Sequence, residues 1–303
     1  MPVRRYAIPG LLNAMLVLLV SSALVGALSC LTIATGKWQV VVAVVVFALL
    51  FQTNFALLHE AGHRKLHANP HVNAFLGSIC GVWLGMSYSM FAVSHTSHHL
   101  RNRTDHEIFD LYYGDESRTR KAIAWYGMLI GLWYWTIPFA NLLLLVAPRI
   151  YRKIAERLQL TVDVIRQPDA AIRRIRIELL FVVAAPMAML IAGVPPLRLL
   201  TAYIAASFLW STTQYLEHAY SPRDVIDGAF NLRAPFLYGW LNLHRELDLN
   251  HHRHPHESWL HLPKLSDVNE VRRSYVRHYF AQWSGPRRTD EPSPQPLAGE
   301  DLI

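Results

Sequence analysis

Two apolar runs near the start of the chain read LLNAMLVLLVSSALVGALSCLTIA (residues 11–34) and WQVVVAVVVFALLFQTNFALL (residues 38–58). Neither run contains a charged residue over its 24 or 21 positions. An α-helix needs about 20 predominantly apolar residues to cross the hydrocarbon core of a bilayer. The two runs therefore predict a hairpin of membrane-spanning helices.

A secretory signal is the competing interpretation of the first run, because Arg4 and Arg5 precede it. The run is longer than a usual signal core, however, and a second span follows at once. Further along, residues 179–197 and 199–216 form another apolar pair, with a turn at Gly193, Pro195 and Pro196. We therefore expect a second hairpin.

The overall composition agrees with a membrane protein. Of 303 residues, 52% are hydrophobic and 17% are charged, which excludes a disordered chain and argues against an ordinary soluble domain. The only two cysteines, Cys30 and Cys80, both lie in apolar stretches. They exclude a disulfide framework, a thiolate zinc site and a cysteine-bound iron–sulfur cluster.

Two further apolar runs, residues 72–93 and 122–147, are ambiguous, and the positive charges help to assign them. Residues 149–176 carry eight arginines and lysines, which places that loop in the cytoplasm by the positive-inside rule. We interpret both ambiguous runs as interfacial or re-entrant helices. The predicted fold is all-α and integral to the membrane, with four transmembrane helices in two hairpins, interfacial helices and a cytoplasmic histidine-rich cap.

In this topology both termini and the cap face the cytoplasm, and we expect the bacterial inner membrane as the location. Lipid headgroups account for the net charge of +7, and no nucleic-acid-binding module is recognisable. Residues 1–283 are expected to form a single domain. From residue 284 the chain is rich in Pro, Arg, Glu and Asp, so residues 284–303 are expected to be a disordered tail.

None of the 16 histidines falls inside the four predicted spans. Eight of them form clusters with short spacings that bring imidazoles to one face of a helix: His59, His63, His95, His98, His99, His218, His251 and His252. His67 continues the face of His59 and His63 by one turn. Because a closed site needs about four ligands, eight candidates suggest two metal ions. Imidazole suits iron, copper, nickel and zinc, so the ligands alone do not select the metal.

The order of these clusters resembles the membrane fatty acid desaturase and hydroxylase superfamily, over roughly residues 55–265. His59-Glu60-Ala61-Gly62-His63 resembles its first histidine box, and His95-Thr96-Ser97-His98-His99 resembles the second. The segment from His251 to Pro263 resembles the end of the third box. Residues 214–218, which begin with Gln214 and end with His218, resemble the extra ligand position after the last span.

The third box departs from the family pattern, because Asp248 stands where the family usually has histidine or glutamine. A carboxylate either binds iron directly or orients a neighbouring imidazole. His244, one helical turn earlier, is the alternative ligand. Glu60, inside the first box, is the best candidate for a carboxylate that fixes an imidazole, although a surface charge is the commoner fate of such residues.

The resemblance implies a non-haem diiron centre that uses O2 as co-substrate to insert a double bond into a fatty acyl chain. It implies a separate electron donor of the ferredoxin, rubredoxin or cytochrome type, with its reductase. The same boxes serve acyl or alkyl hydroxylases, terminal-alkene-forming fatty acid decarboxylases and carotenoid oxidases. From another class, a histidine-rich zinc transporter is disfavoured, because transport ligands are expected near the bilayer midplane.

Overall fold

A computed structural model describes residues 6–158, 162–267 and 269–298. The chain divides into two compact units. We call Pro9–His95 with Trp133–Trp210 the helical unit, and Thr96–Leu132 with Met1–Ile8 and Ser211–Ile303 the mixed unit. The sequence predicted a single domain over residues 1–283, and that organisation stays a prediction.

The helical unit begins with a hairpin of α1 (Gly10–Ile33) and α2 (Lys37–Gly62), the two predicted spans. α1 packs on α2 through an apolar stripe that includes Val17 and Leu24, whereas other apolar side chains such as Leu18 face outward. Helices with apolar residues on every side are typical of membrane spans. Asn13 is the buried polar exception, and its side-chain amide donates to the carbonyls of Lys65 and Leu66 at 3.0 and 3.1 Å.

Helices α3 (Pro70–Leu84) and α4 (Tyr88–Arg101) meet at a bend of 91°. Asn69 caps the start of α3 by accepting from two backbone amides, and Gly85 ends it with a φ of 75°, a conformation that glycine adopts without strain. A Cβ added to Gly81 would lie only 2.4 Å from the Met86 carbonyl. The close return of the chain after α3 therefore requires glycine at this position.

The rest of the helical unit comprises α6 (Leu132–Val146), α7 (Pro148–Leu158), α8 (Val162–Ile165), α9 (Asp169–Ile191) and α10 (Pro196–Thr213). α7 buries Tyr151 and Ala155 against Ile175 and Leu179 of α9 and turns its charged side chains outward. The outer face of α9 carries exposed apolar residues such as Phe181. The predicted second hairpin corresponds in sequence to α9 and α10, and its crossing of the membrane stays a prediction.

Among the described residues, α1 and α2 are long and apolar enough to cross a membrane, and the number of candidate spans rises to four if each bent helix pair counts as one. The bent pairs are α3 with α4, and α6 with α5 (Arg118–Leu129). They coincide with the two runs interpreted as interfacial or re-entrant, residues 72–93 and 122–147. The predicted all-α integral membrane fold is confirmed.

The mixed unit holds the remaining helices, α11 (Phe236–Leu241), α12 (Asp248–Arg253), α13 (Tyr275–Gln282) and a 3-10 helix, Trp259–Leu265. Two short parallel strand pairs join distant segments: β1 (Leu111–Tyr112) with β4 (Arg287–Arg288), and β2 (Leu232–Arg233) with β3 (Arg273–Ser274).

The segment from residue 284, predicted to be a disordered tail, makes specific contacts over the described residues up to 298. Strand β4 pairs with β1, and the guanidinium of Arg287 lies 3.6 Å from the ring centroid of Tyr220. Further on, the Leu297 amide donates to the Leu100 carbonyl at 2.9 Å. Backbone pairing and a cation–π contact thus order a segment that lacks apolar periodicity. Residues 299–303 of the predicted tail lie outside the described residues.

Candidate metal centre

The first histidine group, which we call the His59 triad, consists of His59, His63 and His95 in the helical unit. One ring nitrogen of each histidine lies within 4.8 Å of the others. The Nε2 atoms of His63 and His95 are 2.7 Å apart, and the ring centroids of His59 and His95 are 4.3 Å apart. Three imidazole nitrogens that converge in this way match the donor set of a transition metal.

The local sequence explains this convergence. His59 lies in the last turn of α2 and His63 caps that helix, so the spacing of four puts both imidazoles on one face. The sharp bend after α3 brings α4 alongside. Phe91 then stacks on His95 with 5.4 Å between the ring centroids and an angle of 9°, and it packs against Gly62, where a Cβ would lie 3.0 Å from the ring.

The second group, the His218 triad, consists of His98, His218 and His252 in the mixed unit, with ring nitrogens again within 4.8 Å of one another. His98 lies in α4, His252 in α12, and His218 in the turns that follow α10. Asp248 joins this triad, because its Oδ2 atom lies 3.0 Å from Nε2 of His218 and 3.5 Å from Nε2 of His252. The group therefore offers three nitrogens and a carboxylate.

The hydrogen bonds of His218 show that this donor set suits a cation. Its Nδ1 atom lies 2.9 Å from the Gly228 carbonyl, which only accepts hydrogen bonds, so Nδ1 carries the proton. In the neutral ring Nε2 then bears a lone pair that faces a carboxylate oxygen of Asp248. At 3.0 Å this nitrogen and the carboxylate oxygen are held together by a proton or a cation between them. The residues therefore fit a bound metal ion.

His99 and His251 form a pair next to the His218 triad. Their Nε2 atoms are 3.0 Å apart, and the His99 ring stacks on the ring of His252 at 4.3 Å. Both are buried. All eight predicted histidines therefore lie in groups of facing ring nitrogens, either in the two triads or in this pair.

Comparison with known proteins decides the family. The family model described as fatty acid desaturase matches residues 36–286, most of the chain. The chain belongs to the fatty acid desaturase family. No curated protein matches the sequence closely enough to count as a relative.

The third box of this desaturase-family chain is the one that departs from the pattern, and the geometry separates its two candidates. Asp248 lies at the His218 triad. His244 instead pairs through Nδ1 with Glu246 Oε1 at 3.1 Å, and its ring lies near Trp240 and Trp259. The structure thus brings Asp248, and not His244, to the other third-box residues. Direct ligation of iron by either residue stays a prediction.

Three other predicted residues have different surroundings. Gln214 donates from Nε2 to the Met128 sulfur at 3.3 Å. Glu60 is buried within α2, and its role in fixing an imidazole stays a prediction. The expectation that His67 continues the helical face of His63 is wrong, because α2 ends at Gly62 and Arg64 adopts a left-handed φ of 57°. His67 accepts a hydrogen bond from the backbone amide of Asn69 instead.

A buried network holds the loop after the second box of this desaturase-family chain, and sequence reasoning missed Arg103 and Tyr215 as members of it. Glu107 Oε2 lies 3.3 Å from Nδ1 of His98, and the Glu107 carbonyl accepts from the Tyr215 hydroxyl at 2.7 Å. Arg103, fully buried, donates to Asp110 at 2.6 Å and to Tyr215 at 2.7 Å. The sequence around a buried arginine does not differ from that around an exposed one, so no sequence pattern predicted the burial of Arg103.

Burial raises the pKa of Glu217, which precedes His218 in the chain, to about 8.

Proposed function

We propose that this protein is an oxygen-dependent membrane desaturase that inserts a double bond into a fatty acyl chain at a non-haem diiron centre. The observation that carries the proposal is the presence of two separate groups of three converging imidazoles in a chain of the fatty acid desaturase family. A closed zinc site would need only one such group. Two groups correspond to two ions.

In this proposal, the His59 triad holds one iron ion, and the His218 triad with Asp248 holds the other. His99 and His251, whose Nε2 atoms are 3.0 Å apart, supply further nitrogen ligands. Bound iron would supply the oxidant from dioxygen, since no side chain of the standard set removes hydrogen from an unactivated C–H bond. The protein fixes ring orientations: the Gly228 carbonyl sets the tautomer of His218, and Glu107 contacts His98.

The reaction needs two electrons from outside for each turnover, so a ferredoxin, a rubredoxin or a cytochrome with its reductase acts as a separate partner. The exposed basic side chains of α7 suit an acidic carrier, because opposite charges raise the rate of encounter. The acyl substrate enters from the bilayer. In this proposal, both termini and the metal centre lie on the cytoplasmic side of the bacterial inner membrane.

Metal analysis of the purified full chain tests the diiron part of the proposal. Protein expressed with iron and kept in detergent should contain about two iron ions per chain, and replacement of His98 together with His99 by alanine should remove at least half of them. Replacement of His261, which stacks on Tyr6, serves as the control and should leave the iron content unchanged. Zinc bound through His98 and His99 after anaerobic loading with iron would refute the oxidase assignment.

The products distinguish the reactions that the family supports. With a reconstituted electron donor and a labelled acyl substrate, desaturation removes two hydrogens, hydroxylation adds one oxygen, and decarboxylation removes the carboxyl carbon. If the enzyme oxidises a carotenoid and not an acyl chain, the proposed substrate is wrong, whereas the proposed metal chemistry is still supported. A substrate recovered without any change would refute the whole proposal.

A further inference from the structure

A cavity of about 360 Å³ lies within the helical unit, apart from the ring nitrogens of the His59 triad. Its walls come from the chain after α2 and from the first turns of α3, α4 and α9. Apolar side chains form much of the lining, among them Ala74, Ala92, Val93 and Ile175. Arg64 and Arg174 provide its positive charges. The volume falls within the range of pockets that hold small ligands.

The neutral polar groups of the wall are used within the protein. The side-chain amide of Asn73 donates to the Ala61 carbonyl and the Tyr88 hydroxyl, both at 3.0 Å, and its oxygen accepts from the Leu66 amide. The Ser89 hydroxyl donates to Glu178 at 2.6 Å. A ligand would therefore find its polar partners on the two arginines.

The carboxylate that pairs with Arg174 is already saturated with donors. Glu178 accepts from the hydroxyls of Ser87 and Ser89, from the Ser89 amide, and from Nε of Arg174 at 3.1 Å. The terminal Nη groups of Arg174 donate to no residue that the structure describes, and Arg64 forms no ion pair within those residues either. The rim of the cavity therefore keeps a net positive charge.

The backbone of Arg64 adds an independent observation. Its φ of 57° lies in the left-handed region, at the position just after a helix where glycine is the usual residue. An arginine here is conformationally unfavourable, and such outliers concentrate at functional sites. Since Arg64 pairs with no described carboxylate, the fold itself does not explain why this side chain is present.

From these features we propose that the cavity binds the anionic head group of a membrane amphiphile, with Arg64 and Arg174 on the carboxylate or phosphate and the apolar wall on the first part of the chain. Guanidinium groups present paired N–H donors that match such oxygens. The same chemistry belongs to a free fatty acid and to a phospholipid. The proposal does not depend on metal binding or on the oxidation reaction.

Native mass spectrometry of the full chain in a neutral detergent tests this site. Wild-type protein is titrated with palmitate and with phosphatidylglycerol, with phosphatidylcholine as the zwitterionic reference. We expect Arg64→Gly and Arg174→Gln to weaken binding of the anionic amphiphiles about tenfold or more, because each removes charge-assisted hydrogen bonds. Arg173→Gln is the matched control, since Arg173 is exposed on the same helix and does not line the cavity.

Arg64→Gly also separates binding from folding. Glycine favours the left-handed backbone at this position, so this variant should unfold at the same temperature as the wild type or at a higher one. Tighter binding of palmitate would identify a fatty acid carboxylate as the ligand, and tighter binding of phosphatidylglycerol would identify a lipid phosphate. Unchanged binding in both variants, or an equal loss in Arg173→Gln, would overturn the site.

Discussion

The Oδ2 atom of Asp248 lies 3.0 Å from Nε2 of His218, and the Nδ1–H group of that histidine faces the Gly228 carbonyl at 2.9 Å. The carbonyl fixes a proton of the imidazole on Nδ1, so Nε2 is the nitrogen available to a metal ion beside the carboxylate oxygen. We therefore predict that Asp248, the unusual residue of the third box, is a metal ligand.

Replacement of Asp248 by alanine should reduce the iron content from about two ions to about one ion per chain, because it removes the carboxylate of the His218 triad. His244→Ala is the control, since His244 pairs with Glu246, and it should retain the full iron content. Elemental analysis of the purified variants measures both. Full iron retention in Asp248→Ala would exclude this carboxylate as a required ligand.

Glu107 should act as a positioning residue for His98, whose Nδ1 atom lies 3.3 Å from its carboxylate. Glu107→Ala should make one iron ion easier to extract by a chelator, with a loss of affinity of about 10- to 100-fold, as is usual when the partner of a metal-bound histidine is removed. Glu107→Gln should restore part of the affinity, since its amide oxygen still accepts from Nδ1.

The control for this experiment is Asp105→Ala, because Asp105 binds Arg223 and Tyr113 instead of a histidine. If Asp105→Ala lost iron as readily as Glu107→Ala, the loop as a whole and not the contact with His98 would be responsible.

The ion pair of Arg103 and Asp110 should matter for stability, because both side chains are fully buried, with 2.6 Å between Nη1 and Oδ1. Asp110→Ala leaves a buried guanidinium without its counter-charge, which costs about 3–5 kcal/mol of unfolding free energy. The pair of Arg223 with Asp105 is a matched contrast, since the Asp105 side chain is 52% exposed. Asp105→Ala should cost at most about 1 kcal/mol.

Unfolding in detergent, followed by circular dichroism, measures both variants under the same conditions. Equal destabilisation by Asp110→Ala and Asp105→Ala would show that burial of the Arg103 pair does not determine its contribution.

Stability should fall in mild acid through His278, which lies in α13 and contacts the Ala219 carbonyl at 3.0 Å. Burial lowers the pKa of His278 below its ordinary value of 6.5, and the charges of Arg273 and Arg287 lower it further. As the pH falls below 6.5, the unfolded chain takes up a proton before the folded chain does. The folded state is therefore favoured fully above pH 6.5 and loses stability below it.

Melting temperatures between pH 5 and pH 8 check this dependence on His278. His278→Gln should flatten the acid limb of the curve, because the glutamine amide still donates to the Ala219 carbonyl but does not titrate between pH 5 and pH 8. A curve identical to that of the wild type would assign the acid sensitivity to other groups.

The sequence was sufficient for features that depend on local spacing or on the length of an apolar run. The uncharged runs at residues 11–34 and 38–58 are each long enough, as a helix, to cross a bilayer, and they form α1 and α2 in the structure. The spacing of His59 and His63 placed two imidazoles on one helix face, since residues four apart are neighbours in any α-helix. These inferences need no knowledge of distant contacts.

Other features depend on contacts between residues that are far apart in the chain. Arg287 and Arg288 pair with strand β1, which lies more than 170 positions earlier, and local composition does not encode such a pairing. Likewise, Arg103 becomes a buried residue only because Asp110, Tyr215 and the Ser221 carbonyl surround it.

Asp248 and His244 show most clearly which features depend on the sequence and which depend on the tertiary structure. Sequence alone determined that this is a membrane protein with clustered histidines, because hydrophobic length and helical spacing are local properties. Only the tertiary structure decided that Asp248 meets His218 while His244 turns toward Glu246. The two residues are one helical turn apart in sequence, but α12 begins at Asp248, and His244 lies before it with a left-handed φ of 56°. The helical spacing that would have aligned them is therefore absent.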